Sequence, residues 1–212
     1  MTEVSSTAKL NVSGFFEITS GTIRDHCIIE GRDVRIGKDF WMDHYAFIGG
    51  GSSFDDGSLV AGDHLHMGMY SVVNTARPVT IGDEVGLGIA TRIFTHGAYL
   101  SALDGFPFKF APVTIGSRVW LPNAIVNPGV TIGDDVVVLP NSVVTKDLPG
   151  GCLYGGTPAK VIESNCYPRE LSEYERREVT SEIEDAVTRY YQKGGNLDDI
   201  RKNQYRRYGV RC

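Results

Sequence analysis

No stretch of the chain approaches the roughly 18 consecutive apolar residues that a membrane-spanning helix requires. The opening MTEVSSTAKL holds no apolar core of a secretory signal either. An excess of positive charge is also missing. With 21 Lys and Arg against 26 Asp and Glu the net charge is −5, so there is no general electrostatic reason to bind nucleic acid or an anionic membrane. Basic residues gather only in the tail, at Arg201, Lys202, Arg206, Arg207 and Arg211, which reads as a solvated terminus. Cysteine is scarce: Cys27, Cys152, Cys166 and Cys212 form no CxxC pair and no zinc spacing, so reduced thiols, a cytoplasmic protein and no bound metal are expected. Glycine is abundant instead. Twenty-five glycines against nine prolines suit a fold with many tight corners or close backbone approaches.

An internal repeat accounts for those glycines. Residues 115–145 read IGSRVW, LPNAIV, NPGVT, IGDDVV, VLPNSV, VT, a six-residue unit of one aliphatic residue, a small residue, polar corner residues and a β-branched or small residue. The same phase recurs from Ile36, Ala61 and Ile81, and the unit NPGVT is one residue short. In each unit a few extended residues point one aliphatic side chain inward before a Gly-Asp or Pro-Asn pair turns the chain. Three such edges close a triangle, so a coil takes about 18 residues and stacks on its predecessor at a parallel-strand spacing of about 4.8 Å. Ile36, Met42, Ile48, Ile81, Leu87, Ile93, Ile115, Leu121, Ile132, Val138 and Val144 then form aliphatic columns. An amphipathic helix is the rival reading, but β-branched residues with a Gly or Pro in nearly every turn would break it. The segment from Phe15 to Ile29 is too irregular to phase.

Insertions interrupt the repeat at residues 50–58 and 94–111, and the second carries Tyr99, Phe106, Phe108 and Phe110 shortly after His96. The glycines and prolines of LPGGCLYGGTPAKVI mark the end of the coils. A helix is predicted from Ser172 to Lys193, with Ser172 and Glu175 as a capping box and Gly194-Gly195 as the stop. The expected organisation is a repeat domain over residues 1–162 followed by a helical segment and basic tail over 163–212.

The ordered run VTIGSRVWLPNAIVNPGVTIGDDVVVLPNSVVTKDLP, followed by GGTPAKVI and preceded by IFTHG, resembles the hexapeptide-repeat acyltransferases, in particular bacterial sugar and antibiotic acetyltransferases. The resemblance spans about residues 36–162. It implies an all-β fold, a left-handed parallel β-helix with a C-terminal α-helical appendage. It also implies a homotrimer with sites between subunits and acetyl-CoA as co-substrate. The acceptor would be a hydroxyl or amine of a sugar or amino sugar from a polysaccharide or lipopolysaccharide precursor. His96 is then the catalytic base, since a neutral imidazole is basic near neutral pH. A carboxylate or a carbonyl is expected to hold its other ring nitrogen, with Glu84 and Asp104 as candidates. For the coenzyme the resemblance points to Trp120, Asn123, Asn141, Gly155, Gly156, Thr157 and Lys160. Acceptor candidates are His66, at an expected outward corner, with Tyr70, Tyr99 and Asp104. Tyr70 falls near where galactoside-type relatives carry an asparagine.

Three alternatives differ in class or acceptor. An antibiotic acetyltransferase would use the same chemistry. A zinc lyase of the carbonic-anhydrase type needs three histidine ligands, two of them four residues apart, whereas here His64 and His66 are separated by a single residue and no His-x4-His occurs. A non-catalytic β-helix scaffold would bind no coenzyme.

Overall fold

The computed structural model describes residues 1–50, 57–97 and 100–194, and its contacts divide the chain into two compact units, Met1–Pro168 and Arg169–Cys212. Tyr99 and the basic tail lie outside the described residues. Among the described residues no helix is long and apolar enough to cross a membrane.

The first unit winds through three parallel sheets in rotation. The first face runs through Thr2–Val4, Gly21–Ile23, Phe40–Met42, His66–Met67, Gly86–Leu87, Val119–Leu121, Val136–Val138 and Leu153–Gly155. The second face takes Lys9–Val12, Ile28–Gly31, Phe47–Gly49, Val72–Asn74, Arg92–Ile93, Ile125–Val126 and Val143–Val144. The third takes Phe16–Ile18, Asp33–Ile36, Ser58–Ala61, Val79–Ile81, Val113–Ile115 and Thr131–Ile132. Register is kept residue for residue, as in Val79↔Val113, Thr80↔Thr114 and Ile81↔Ile115. Lys160–Glu163 folds back antiparallel on Leu153–Gly155 and ends the first face.

The aliphatic columns expected from the repeat are all buried, each at 2% exposure or less. Coiling runs from Thr2, inside the expected repeat domain, although the six-residue phase is readable only from Ile36. The first turns escape pattern reading because a terminal coil has a neighbour on one side only. Leu10, Phe15 and Phe16 remain exposed there, and Phe15 is covered by Arg35, whose guanidinium carbon lies 4.3 Å from the ring centre.

The corners differ from the simplest expectation. In the Ala-Gly-Asp, Ile-Gly-Asp and Ile-Gly-Ser units that start at Ala61, Ile81 and Ile115 the left-handed backbone is taken not by glycine but by the residue two further on, with φ of 61° at His64, 57° at Glu84 and 56° at Arg118. A non-glycine residue there costs about 1–2 kcal/mol. Each is tied to the preceding coil: His64 N–H to Lys38 O at 2.7 Å, Glu84 N–H to Asp63 O at 2.8 Å, Arg118 N–H to Asp83 O at 2.8 Å. The glycine is needed for a different reason. A Cβ on Gly82 would lie 2.8 Å from the Gly116 carbonyl carbon of the next coil. The following polar residue completes the corner, as Asp83 Oδ1 accepts the Asp63 N–H at 2.7 Å and Asp134 Oδ1 accepts the Ser117 N–H at 2.7 Å.

In the second unit one α-helix, α1, spans Glu173–Gln192, with Ser172 as N-cap and both capping-box hydrogen bonds to Glu175 present. The Glu175 carboxylate is pulled down to about 2, chiefly by Arg169 at 2.9 Å and then by the Ser172 N–H and hydroxyl. A lowered carboxyl pKa stabilises the fold above its ordinary value of 4.5, and that contribution is lost as pH falls towards about 2.

Two measurements check this description. Leu121 is fully buried, so Leu121→Ala is expected to lower unfolding stability by about 2–5 kcal/mol in denaturant titration. Far-UV circular dichroism, in which α1 dominates the helical signal, should fade between pH 4.5 and about 2; Glu175→Gln should reduce it already at neutral pH.

Candidate active site

Both insertions leave the coil at the same corner, between the second and third faces. One departs after the strand Phe47–Gly49 and the other after Arg92–Ile93. Only at a corner can extra residues loop out without breaking the register of a face. The second insertion begins with a short antiparallel ladder in which His96↔Phe110 and Gly97↔Lys109 pair. Its return is accommodated by the one short repeat. Gly129, in NPGVT, has φ +81°, and a Cβ there would sit 3.1 Å from both Ala111 Cβ and Lys109 Nζ.

His96 is half-buried, and its ring stacks on Phe110 with centroids 5.4 Å apart and planes 20° from parallel. Phe108 backs Phe110 at 5.1 Å, and the Arg77 guanidinium carbon lies 4.9 Å from the centre of the same ring. His96 Nδ1 is 2.9 Å from Asn74 Oδ1. Asn74 is 7% exposed and ends the second-face strand one coil earlier. Thr95, fully buried, donates its hydroxyl to Asn74 Oδ1 at 2.6 Å and accepts the Arg77 N–H at 3.1 Å.

The group holding the imidazole is therefore a carbonyl oxygen, and it belongs to neither of the expected carboxylates. Glu84 stands at the corner between the third and first faces, with φ 57°. Asp104 lies in the exposed single turn Ala102–Asp104 of the insertion. Asn74 was missed because it is 22 residues upstream. Two signals pointed to this coil: a polar residue closing an apolar strand one coil before the histidine, and the asparagine that galactoside-type relatives carry near Tyr70, which was placed four residues away from Asn74.

His66 also departs from expectation. It is on a strand of the first face rather than at a corner, pairs with Trp41 and Gly86, and is 8% exposed with its ring parallel to Trp41 at 6.4 Å. Tyr70 is at the corner between the first and second faces, half-exposed. Its ring stacks on Tyr45 at 5.3 Å, and Tyr45 stacks on His26 at 4.9 Å. His66, Tyr70 and Asp104 thus occupy three separate places in one chain, none of them in the contacts that hold His96.

The expected coenzyme residues are better gathered. Asn123 Nδ2 donates to Asn141 Oδ1 at 2.7 Å, and the Thr157 hydroxyl donates to Asn141 O at 3.3 Å. Gly156, at φ +100°, donates its N–H to Ser142 Oγ at 3.0 Å. Gly155 faces Lys160 across the final hairpin, and a Cβ on it would meet Ile162 Cδ1 at 2.7 Å. Trp120, in the outer column that also contains Trp41, His66 and Gly86, is 41% exposed. Among the described residues no three or more His, Cys, Asp or Glu side chains converge as a metal site would require.

The family described as "Bacterial transferase hexapeptide (six repeats)" matches residues 112–146. The chain is 31% identical over 135 residues to the putative lipopolysaccharide biosynthesis O-acetyl transferase WbbJ of Escherichia coli (strain K12), covering 57% of this chain and 68% of that protein. The chain belongs to the hexapeptide-repeat acyltransferase superfamily. It is also 29% identical over 134 residues to galactoside O-acetyltransferase of the same strain, spanning 60% of this chain but only 62% of that enzyme's length. Among solved structures, AntD, an N-acyltransferase from Bacillus cereus in complex with dTDP and 3-hydroxybutyryl-CoA, is similar with a TM-score of 0.53, 17% identity and 88% coverage of each chain. That likeness concerns the fold. The coil is the left-handed parallel β-helix of this superfamily, followed in the chain by α1.

Proposed function

We propose that this hexapeptide-repeat protein is an acetyl-CoA-dependent acetyltransferase acting on a hydroxyl or amine of a sugar or amino sugar, with His96 as the general base. The observation that carries this reading is the half-buried imidazole at the insertion corner, tied through Nδ1 to Asn74 and leaving Nε2 for a proton. The names of similar proteins support the acceptor class: a galactoside O-acetyltransferase and a putative lipopolysaccharide biosynthesis O-acetyl transferase. Acetyl-CoA would supply an activated acyl carbon, and the expected location is the cytoplasm.

The chemistry asks one proton to move twice. His96 Nε2 takes the acceptor proton as the acceptor oxygen or nitrogen bonds to the thioester carbonyl carbon. When the tetrahedral adduct collapses, the carbon–sulfur bond breaks and His96 returns the proton to the departing thiolate. Such a base is worth about 10²–10⁴ in rate. Phe110 keeps the ring plane fixed, so little reorganisation is needed.

A homotrimer with shared sites fits the same geometry. Tyr70 and His96 are at different corners of one chain, so a site using both would draw one of them from a second copy. Leu103, Phe106 and Phe108 of the insertion are exposed, at 99%, 47% and 65%, and association would remove that apolar surface from water. The amide ladder of Asn123 and Asn141, with Thr157, Gly155 and Gly156 at its end and exposed Trp120 and Lys160 nearby in the final coils, offers the polar groups a pantetheine chain and phosphates would take.

Thiol release from acetyl-CoA, followed over sugars, amino sugars, sugar nucleotides and chloramphenicol, tests the reading. A sugar-class acceptor should stimulate release, and His96→Ala should lower turnover at least about a hundredfold with coenzyme binding retained. Undiminished turnover in that variant contradicts the assignment.

A further inference from the structure

We infer that Asn74 is a positioning residue that fixes which nitrogen of His96 carries the proton, and that Gly49, Gly50 and Gly57, which border the first insertion, set Asn74. The inference rests on the proposed role of His96 for its kinetic part and on the hydrogen bonds alone for its structural part.

The argument begins with an acceptor that cannot change. Asn74 Nδ2 lies 2.9 Å from Gly50 O, and a backbone carbonyl only accepts, so the NH2 end of the amide must face Gly50. The carbonyl end then faces the corner. There Oδ1 meets the Thr95 hydroxyl at 2.6 Å and His96 Nδ1 at 2.9 Å. An amide oxygen has no proton to give, so Nδ1 must donate. In the neutral imidazole the lone pair is thereby left on Nε2. The reversed amide would put NH2 against Nδ1 and oxygen against Gly50 O, which burial at 7% exposure would not forgive.

The chain of dependence joins features far apart in sequence. Gly50 opens the first insertion. The Thr75 N–H, next to Asn74, donates to Gly49 O at 3.0 Å, and Gly57 rejoins the coil so closely that a Cβ there would lie 1.3 Å from Thr75 O. Gly49 and Gly50 on one side and Gly57 on the other thus hold the strand end that carries Asn74. Thr95 adds a second hold, since its hydroxyl accepts the Arg77 N–H at 3.1 Å and gives its own proton to Asn74. Asn74 has no need to touch substrate; it acts through the imidazole.

The direct test is the nitrogen-15 to proton correlation spectrum of the His96 ring in the full-length protein at a pH where the ring is neutral. A proton on Nδ1 is expected in the wild type, and a mixture of both tautomers in Asn74→Leu. A wild-type ring protonated on Nε2 overturns the proposal whatever the enzyme's activity. Kinetics supply the second arm. Asn74→Leu should lower kcat roughly 10–100-fold, a part of the 10²–10⁴ a placed base provides, with KM changed much less. Asn74→Asp keeps an acceptor for Nδ1 but adds charge, so it should keep more activity than Asn74→Leu and move the acidic limb of the pH–rate profile upward. Equal kcat and identical pH profiles in all three proteins also overturn it. If His96→Ala is fully active while the wild-type ring carries its proton on Nδ1, the catalytic reading fails and the positioning contact stands.

Discussion

Each coil hydrogen-bonds to the next in residue-for-residue register, and every other feature of the repeat unit accommodates that constraint. Extra residues inside a face would shift register and turn a buried column outward. They can be absorbed only at corners. The three-sided winding therefore decides where variation is allowed before any chemistry is considered. Glycine in Ile-Gly-Asp lets adjacent coils touch, and the acid after it closes the corner through the previous coil's N–H groups, as Asp83 does for Asp63.

The site follows from the same constraint. Two insertions leave the stack at one corner in nearby coils, and the coil between them contributes Asn74, Thr75 and Arg77. A rigid scaffold thus presents a histidine whose ring plane is set by Phe110 and whose Nδ1 is set by Asn74. Insertions of this kind carry function because the coils beneath them do not move. The short repeat at Gly129 belongs to this arrangement, since the return of the second insertion occupies the space a longer corner would fill.

Much of the fold was legible because the six-residue phase is carried by aliphatic side chains that face inward irrespective of context. Ile81, Leu87 and Ile93 show it, and the Ser172–Glu175 capping box announced α1 with nearly its observed ends. Corners were less readable. Left-handed backbone is held at Tyr45 and Tyr70, residues that local preference would not nominate, because hydrogen bonds between coils override it. His96 stood out through its motif, but its partner did not. The contact with Asn74 is made across coils, and linear spacing reveals such a neighbour only after the coil length is known. His66 shows the reverse error: its phase was read correctly, yet the stack on Trp41 turns that position into a buried face.

The most direct test of the whole account is a crystal structure grown with coenzyme A. The account predicts that the thiol sulfur lies within about 3–3.5 Å of His96 Nε2, in a cleft completed by a second copy of the chain. A coenzyme bound along a face remote from the insertion corner, or an imidazole turned away from the sulfur in every copy, would contradict it.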